Sequence, residues 1–254
     1  MTIFDAIILG VIEGLSEFLP ISSTGHLILA SKLLGLEQDD ALKAFEVSIQ
    51  LGSIIAVLFL FSQKLLTNRS LWLKIIVAFM PTAIFGFLLY KHIKALFGVE
   101  TVAIMLIVGG VVFLVLEYFR RDRDDSKDKS IEDLTLKESI LIGFFQTLAM
   151  IPGTSRSGST IIGGLVAGLS RRSAAEFSFL LAIPTMFSAT IYDLFKNRDI
   201  LAFDDLSLIA VGFATAFVTS YFTLKAVIGF LTRHTFVIFG IYRIALGGVF
   251  LYLL

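Results

Sequence analysis

Apolar residues gather along this chain in six stretches close to membrane-spanning length: 45–61, 71–90, 101–119, 177–195, 206–224 and 235–254. A helix needs roughly 20 mostly apolar residues to cross about 30 Å of hydrocarbon. Four other apolar stretches are too short. Residues 3–18 and 27–36 flank a polar island within EGLSEFLPISSTGH at 13–26, and residues 139–151 and 159–169 flank PGTSRSG at 152–158. A short helix, a polar turn and a second short helix predict a re-entrant hairpin. Irregular backbone at membrane depth persists only where protein or a water-filled cavity covers it. The competing expectation is one kinked helix, or two tilted full spans, at each place.

The two hairpins look like copies. A shift of 133 places Gly10 on Gly143, Glu13 on Gln146, Leu15 on Leu148, Ser22 on Ser155, Thr24 on Ser157 and Gly25 on Gly158. The same shift places Gly35 on Gly168 and Leu36 on Leu169, and a shift of 130 places Glu46 on Glu176. Three full spans separate the hairpins, so the second copy is expected to enter from the opposite face. That predicts an all-α polytopic membrane protein built as an inverted-topology repeat. Each half has one re-entrant hairpin and three transmembrane helices, and the site is expected near the midplane where the halves meet. The whole of 1–254 is expected to be one membrane domain, with repeats at 1–119 and 139–254 and a linker at 120–138.

Composition agrees with a membrane span count of this size. The chain is 56% hydrophobic and only 17% charged, where soluble domains run near about 25% charged. Formal net charge is zero, so nothing points to nucleic acid. With no cysteine, disulfides, thiolate metal sites and a cysteine nucleophile are excluded. The N-terminus is not expected to be a signal peptide, because it lacks a basic start and Asp5, Glu13 and Glu17 interrupt its apolar run. Thirteen Lys and Arg fall on one side of the predicted spans against six (32, 43, 91, 94, 196 and 198) on the other. The richer side is expected to be cytoplasmic, which puts the mouth of the first hairpin outside. The segment 120–138 carries six basic and seven acidic residues and is expected to be a solvated linker with no site in it.

Ionisable residues within membrane segments are functional candidates by default. Glu13 and Glu17 lie four apart, on one helix face, where like charges repel. In an apolar setting they must share a proton, hold a cation or pair with a base. A hard divalent ion such as Mg²⁺ takes one or two carboxylates plus phosphate oxygens. Pro20 ends the helix, and Ser22, Ser23, Thr24 and Gly25 form a turn into the next one, whose N-terminus can receive an anion. A hydroxyl three residues from His26 has the makings of a nucleophile with its base. The second turn repeats the design and adds Arg156 between Ser155 and Ser157, with a guanidinium suited to phosphate. Blander accounts are a plain capped turn and an Arg156–carboxylate ion pair. Glu46, Gln50 and Glu176 are expected to support or pack, His92 and His234 to be interfacial, and Arg243, inside the last span, requires a partner that the sequence does not name.

The stretches EGLSEFLPISSTGH, FEVSIQLGS, PGTSRSGST and EFSFLLAIPTM resemble the undecaprenyl-diphosphate phosphatases of the bacitracin-resistance type. The resemblance covers nearly the whole chain. It implies removal of the terminal phosphate from a long polyprenyl diphosphate, which regenerates a lipid carrier of cell-wall synthesis and confers bacitracin tolerance. It also implies dependence on Mg²⁺ or Ca²⁺, a bacterial plasma-membrane location and access from the extracytoplasmic side. The acidic motif falls on Glu13 and Glu17, the expected metal ligands. The Ser-Ser-Thr-Gly-His motif falls on Ser22 to His26, and the Ser-Arg-Ser motif on Ser155 to Ser157. The expected mechanism has Ser23 attacking phosphorus, His26 or Glu17 taking its proton, and Ser22, Thr24, Gly25, Ser155, Arg156 and Ser157 holding phosphate. Substrate and surrounding lipids are the expected partners, and a homodimer is left open. The competing classes are a transporter or flippase of a phosphorylated lipid, a phosphatidic-acid-phosphatase type enzyme and a structural scaffold.

Overall fold

In the computed structural model the described residues are 1–96, 98–196 and 206–253. Helices account for all the long elements: α1 (Ile3–Ser16), α2 (Ser23–Leu33), α3 (Asp40–Leu60), α4 (Ser62–Thr67), α5 (Arg69–Ala95), α6 (Val99–Arg120), α7 (Leu136–Thr147), α8 (Arg156–Val166), α9 (Arg171–Lys196), α10 (Leu206–Leu231) and α11 (Val237–Leu253). Five of them are long and apolar enough to span a membrane, within α3, α5, α6, α9 and α10. The sixth expected span, α11, is a shorter apolar helix of 17 residues. The protein is therefore an all-helical, multi-pass membrane protein. Of the six cationic positions counted on the poorer side, Arg198 lies outside the described residues, as does Leu254 at the end of the last predicted span.

The two hairpins agree element by element at the shift of 133. α2 runs from Ser23 to Leu33 and α8 from Arg156 to Val166. α1 opens on a capping box between Thr2 and Asp5, and α7 on the same device between Thr135 and Glu138. Such a box satisfies two orphan N–H groups at a helix start. Ser22 and Ser155, the non-glycine residues with positive φ among those described, are also 133 apart, at +70° and +74°. An L-residue held there costs about 1–3 kcal/mol and persists where its surroundings over-determine it.

The pairing of the halves is exchanged. α1 packs on α10 of the second half, and its counterpart α7 packs on α5 of the first. α3 lies against α9, and α6 against α11. Glycine makes the exchanged contacts close. A Cβ on Gly10 would sit 2.7 Å from the Gly212 carbonyl oxygen, and one on its counterpart Gly143 would sit 2.2 Å from that of Ala78. Gly143→Ala is therefore expected to lower thermal stability in detergent, by about 1–3 kcal/mol of overpacking. Gly229→Ala, whose Cβ meets nothing within 4 Å, is expected not to lower it.

The linker is mostly exposed to solvent, as expected, and it is also strapped to the helix ends. Ile131 and Leu134 are each 2% exposed, and Lys74 donates to the Ile131 and Glu132 carbonyls at 3.2 and 2.8 Å. The Lys129 N–H donates to the Gly168 carbonyl at 3.0 Å, and the Ser170 N–H to the Lys129 carbonyl at 3.1 Å. Asp128 accepts from Arg120 at 2.5 Å and from Arg123 at 2.7 Å. Asp125 pairs with Arg171 at 2.7 Å. The anchoring partners Lys74, Gly168 and Arg171 lie far from the run of mixed charge in sequence. Hydrogen bonds from Ser126 and Ser130 hold the Asp124 and Asp133 carboxyls below their ordinary pKa.

Candidate active site

α1 ends at Ser16, and Glu17 caps it by donating its N–H to the Glu13 carbonyl at 2.9 Å. This stacks both carboxylates at the end of one helix, where each is buried. The chain then turns through Phe18–Ile21 to Ser22, whose positive φ starts α2 with the Ser23 hydroxyl on its first turn. Ser23 Oγ donates to Glu17 Oε2 at 2.5 Å. The other Glu17 oxygen accepts from Arg156 Nη2 at 2.9 Å. Hydroxyl, carboxylate and guanidinium thus form one bonded line that crosses from the first hairpin to the second.

Arg156 is fixed from several sides. Its Nη1 donates to the Ser178 carbonyl at 3.1 Å, Nη2 also reaches the Met186 sulfur at 3.1 Å, and the guanidinium lies 5.7 Å from the centre of the Phe18 ring. Its Nε is buried without a hydrogen-bond partner. Beside it, Ser155 Oγ accepts from the Gly158 N–H at 3.1 Å and lies 3.1 Å from Ser157 Oγ. Ser157 Oγ lies 2.9 Å from the Leu19 carbonyl, to which it donates. That bond ties the second turn directly to the first. The starts of α2 and α8 bring free N–H groups to this region, which suits an anion.

His26 does not meet Ser23. Its Nδ1 lies 2.7 Å from the Ser22 carbonyl, and its Nε2 lies 2.7 Å from the Tyr242 hydroxyl. A carbonyl can only accept, so Nδ1 carries a proton, and in the neutral ring Nε2 accepts from Tyr242. The two rings also stack, 7° from parallel. Of the expected alternatives for Ser23's proton, the geometry pairs the hydroxyl with Glu17. Thr24 is exposed on the first turn of α2, and Gly25 is buried with its open side toward Val102 and Leu106 of α6.

Glu13 has a different setting. Its Oε1 accepts a long bond from Ser53 Oγ at 3.4 Å, and Ser53 in turn accepts from Ser220 at 2.9 Å. Its Oε2 is buried with no hydrogen-bond partner. At the matching place in the second half stands Gln146, an amide satisfied by Thr82 at 2.8 Å and Thr185 at 3.1 Å. The second hairpin is neutral and closed at this place, and the first keeps an acid with a spare oxygen. An unbonded buried carboxylate oxygen beside a second carboxylate fits a hard cation. Among the described residues no three His, Cys, Asp or Glu side chains gather as a metal cage. The fit is to an ion whose shell is completed by ligands other than protein, as substrate oxygens do for Mg²⁺.

The sequence pattern of the family described as "Bacitracin resistance protein BacA" matches residues 6–249. The chain belongs to the BacA family. It is 60% identical to an undecaprenyl-diphosphatase of Wolinella succinogenes, over 100% of this chain and 99% of that one. It is 57% identical to one from Persephonella marina over 99% and 98% of the two chains, and 52% identical to one from Sulfurimonas denitrificans over 99% and 98%. This BacA-family chain carries site neighbours to which the sequence assigned no role in the site. Tyr242, Ser53, Ser220 and the Ser178 carbonyl all come from other spans. Tyr242 had one signal in the sequence, its place beside the unpaired intramembrane Arg243. Tyr242→Phe is expected to lower kcat by about three- to tenfold, the range for one hydrogen bond. In a double-mutant cycle with His26→Gln the two losses should not add. Additive losses would separate Tyr242 from His26.

Proposed function

We propose that the chain hydrolyses undecaprenyl diphosphate to undecaprenyl phosphate and inorganic phosphate. The observation that carries this is the Ser23–Glu17–Arg156 line, set at the meeting of two anion-receptive helix starts in a chain of the BacA family. Ser23 Oγ attacks the terminal phosphorus and gives its proton to Glu17 Oε2. The new Oγ–P bond forms as the bridging P–O bond breaks, and the electron pair leaves with undecaprenyl phosphate. Water then attacks the phosphoserine. The P–Oγ bond breaks, Oγ recovers its proton from Glu17, and both of the water's protons leave with the released phosphate. Arg156, already beside Glu17, offers the guanidinium that offsets charge on the equatorial oxygens. Ser155, Ser157, Ser22, Thr24 and the N–H groups of the two turns orient the phosphate. Glu13, with Glu17 behind it, is the place for Mg²⁺ or Ca²⁺. Such an ion supplies charge neutralisation to the diphosphate.

The matched hairpins and their exchanged packing support an inverted repeat, with halves at 1–119 and 139–254 joined by the strap. The charge count supports a first hairpin that opens to the extracytoplasmic side of a bacterial plasma membrane, where recycling the lipid carrier gives bacitracin tolerance. The test is phosphate release from undecaprenyl diphosphate by protein in detergent, with and without a chelator. Release that stops with chelator and returns with Mg²⁺ or Ca²⁺ is the expected result. No release from a folded protein would leave the lipid-transport reading, since detergent permits hydrolysis and forbids transport. Glu13→Gln is expected to raise the metal concentration needed for half activity about tenfold or more, as loss of one charged ligand does.

A further inference from the structure

We infer that Arg243 is a standing positive charge for the diphosphate: a buried guanidinium, bonded through carbonyl groups to both turns of the site, whose charge is left for the anionic substrate to neutralise. The inference rests on the phosphatase reading above. Arg243 is 0% exposed and sits on α11, well inside the protein. Its Nε donates to the Leu106 carbonyl at 3.3 Å and its Nη2 to that of Met105 at 2.9 Å, both on α6. Nη1 reaches the Pro20 carbonyl at 3.1 Å, in the first turn, and Nη2 reaches that of Gly153 at 3.1 Å, in the second. One side chain thus holds the two halves of the site in register.

The nature of its partners carries the argument. The other buried arginines have carboxylates: Arg120 has Asp125 and Asp128, and Arg171 has Glu117 and Asp125. Arg156 has Glu17. Arg243 has no carboxylate partner among the described residues. Carbonyl dipoles satisfy its donors but do not cancel its charge. An uncompensated buried charge is costly, and an intramembrane one marks function. The charge lies under the α8 start, since a Cβ on Gly158 would be 3.4 Å from Nη1. A clamp alone could be built from neutral donors. A cation at this place adds to the helix start and Arg156 in drawing a polyanion between the turns.

The test separates charge from clamping. R243Q keeps amide donors and loses the charge, while R243K keeps the charge and loses the fan of donors. Pyrophosphate serves as the headgroup probe, with its affinity read by calorimetry on purified protein in detergent. KM and kcat are measured on undecaprenyl diphosphate. R243Q is expected to weaken pyrophosphate binding and raise KM by about tenfold or more, and R243K to stay within about threefold of the wild type, as expected when a charge-assisted contact is lost or kept. Wild-type affinity in R243Q, or equal losses in both variants confined to kcat, would overturn the inference and leave a clamp. If R243Q does not fold, R243K decides alone: retained affinity supports the charge role and lost affinity overturns it. A wild type that binds pyrophosphate and releases no phosphate would instead sink the phosphatase reading.

Discussion

Glu17→Gln is expected to remove nearly all turnover while leaving a folded protein that still binds pyrophosphate. The amide has the shape of the carboxylate, so α1 still ends where it does. Its oxygen can accept from Ser23 or from Arg156. It cannot take a proton from Ser23, which at 2.5 Å is already aligned to give one. Loss of a positioned general base costs about 10²–10⁴-fold in rate. A second effect acts in the same direction. Arg156 loses the charge it faces at 2.9 Å, and the guanidinium is freer to drift from the phosphoryl group it should meet. His26→Gln is expected to cost less, because its ring nitrogens are already engaged by Ser22 and Tyr242. Measured kcat values for the two variants check the assignment. A His26→Gln protein as inactive as Glu17→Gln, with the limb of the pH–rate profile that reports the general base lost in the histidine variant alone, would give the base role to His26.

Much of this fold can be read along the chain because the bilayer forces simple patterns. Apolar runs give the spans, and paired short runs around Ser22 and Ser155 give the hairpins. The offset of 133 reappears in the structure down to the positive φ of both serines. What escapes the sequence is whatever depends on partners far apart in it. The fastening of the strap at 120–138 is hidden because Asp125 finds Arg171 and the strap's backbone finds Gly168 and Lys74. The exchanged pairing of α1 with α10 depends on surfaces that glycines allow but do not announce.

The site shows the same division. Residue types and spacing marked Glu13, Glu17, Ser23 and Arg156. Nothing in the spacing of Ser23 and His26 foretold that the imidazole would turn to Tyr242, 216 residues away. A hydroxyl three positions from a histidine can meet it on a turn, but on the first turn of a helix the ring reaches back to the Ser22 carbonyl instead. Arg243 was visible as an anomaly, an intramembrane cation in the last span. Its partners were not visible because they are carbonyls, which every residue has. The unbonded oxygen of Glu13 is a property of packing, and the neutral, satisfied Gln146 at the matching position makes it meaningful.

Ser23→Ala is the second substitution with a large expected effect, and it tests the covalent step itself. Removing the hydroxyl leaves Glu17 with Arg156 and a small space where Oγ stood. If Ser23 is the nucleophile, kcat falls about 10³-fold or more, the scale for loss of a nucleophile within a unit of cooperating groups. Substrate binding should change little, because Ser23 is one of several hydroxyls around the phosphate. Phosphoenzyme trapped by rapid acid quench of the wild type, and absent from Ser23→Ala, is the expected companion result. Ser22→Ala provides the contrast. Ser22 caps α2 without a side-chain bond, so its loss should weaken binding more than chemistry. Near-full activity in Ser23→Ala would make Glu17 the base for water, acting directly on the terminal phosphorus. Glu17→Gln would then stay inactive, and no phosphoserine would be trapped. The two variants together therefore separate the identity of the base from the identity of the nucleophile, which share one hydrogen bond in the resting structure.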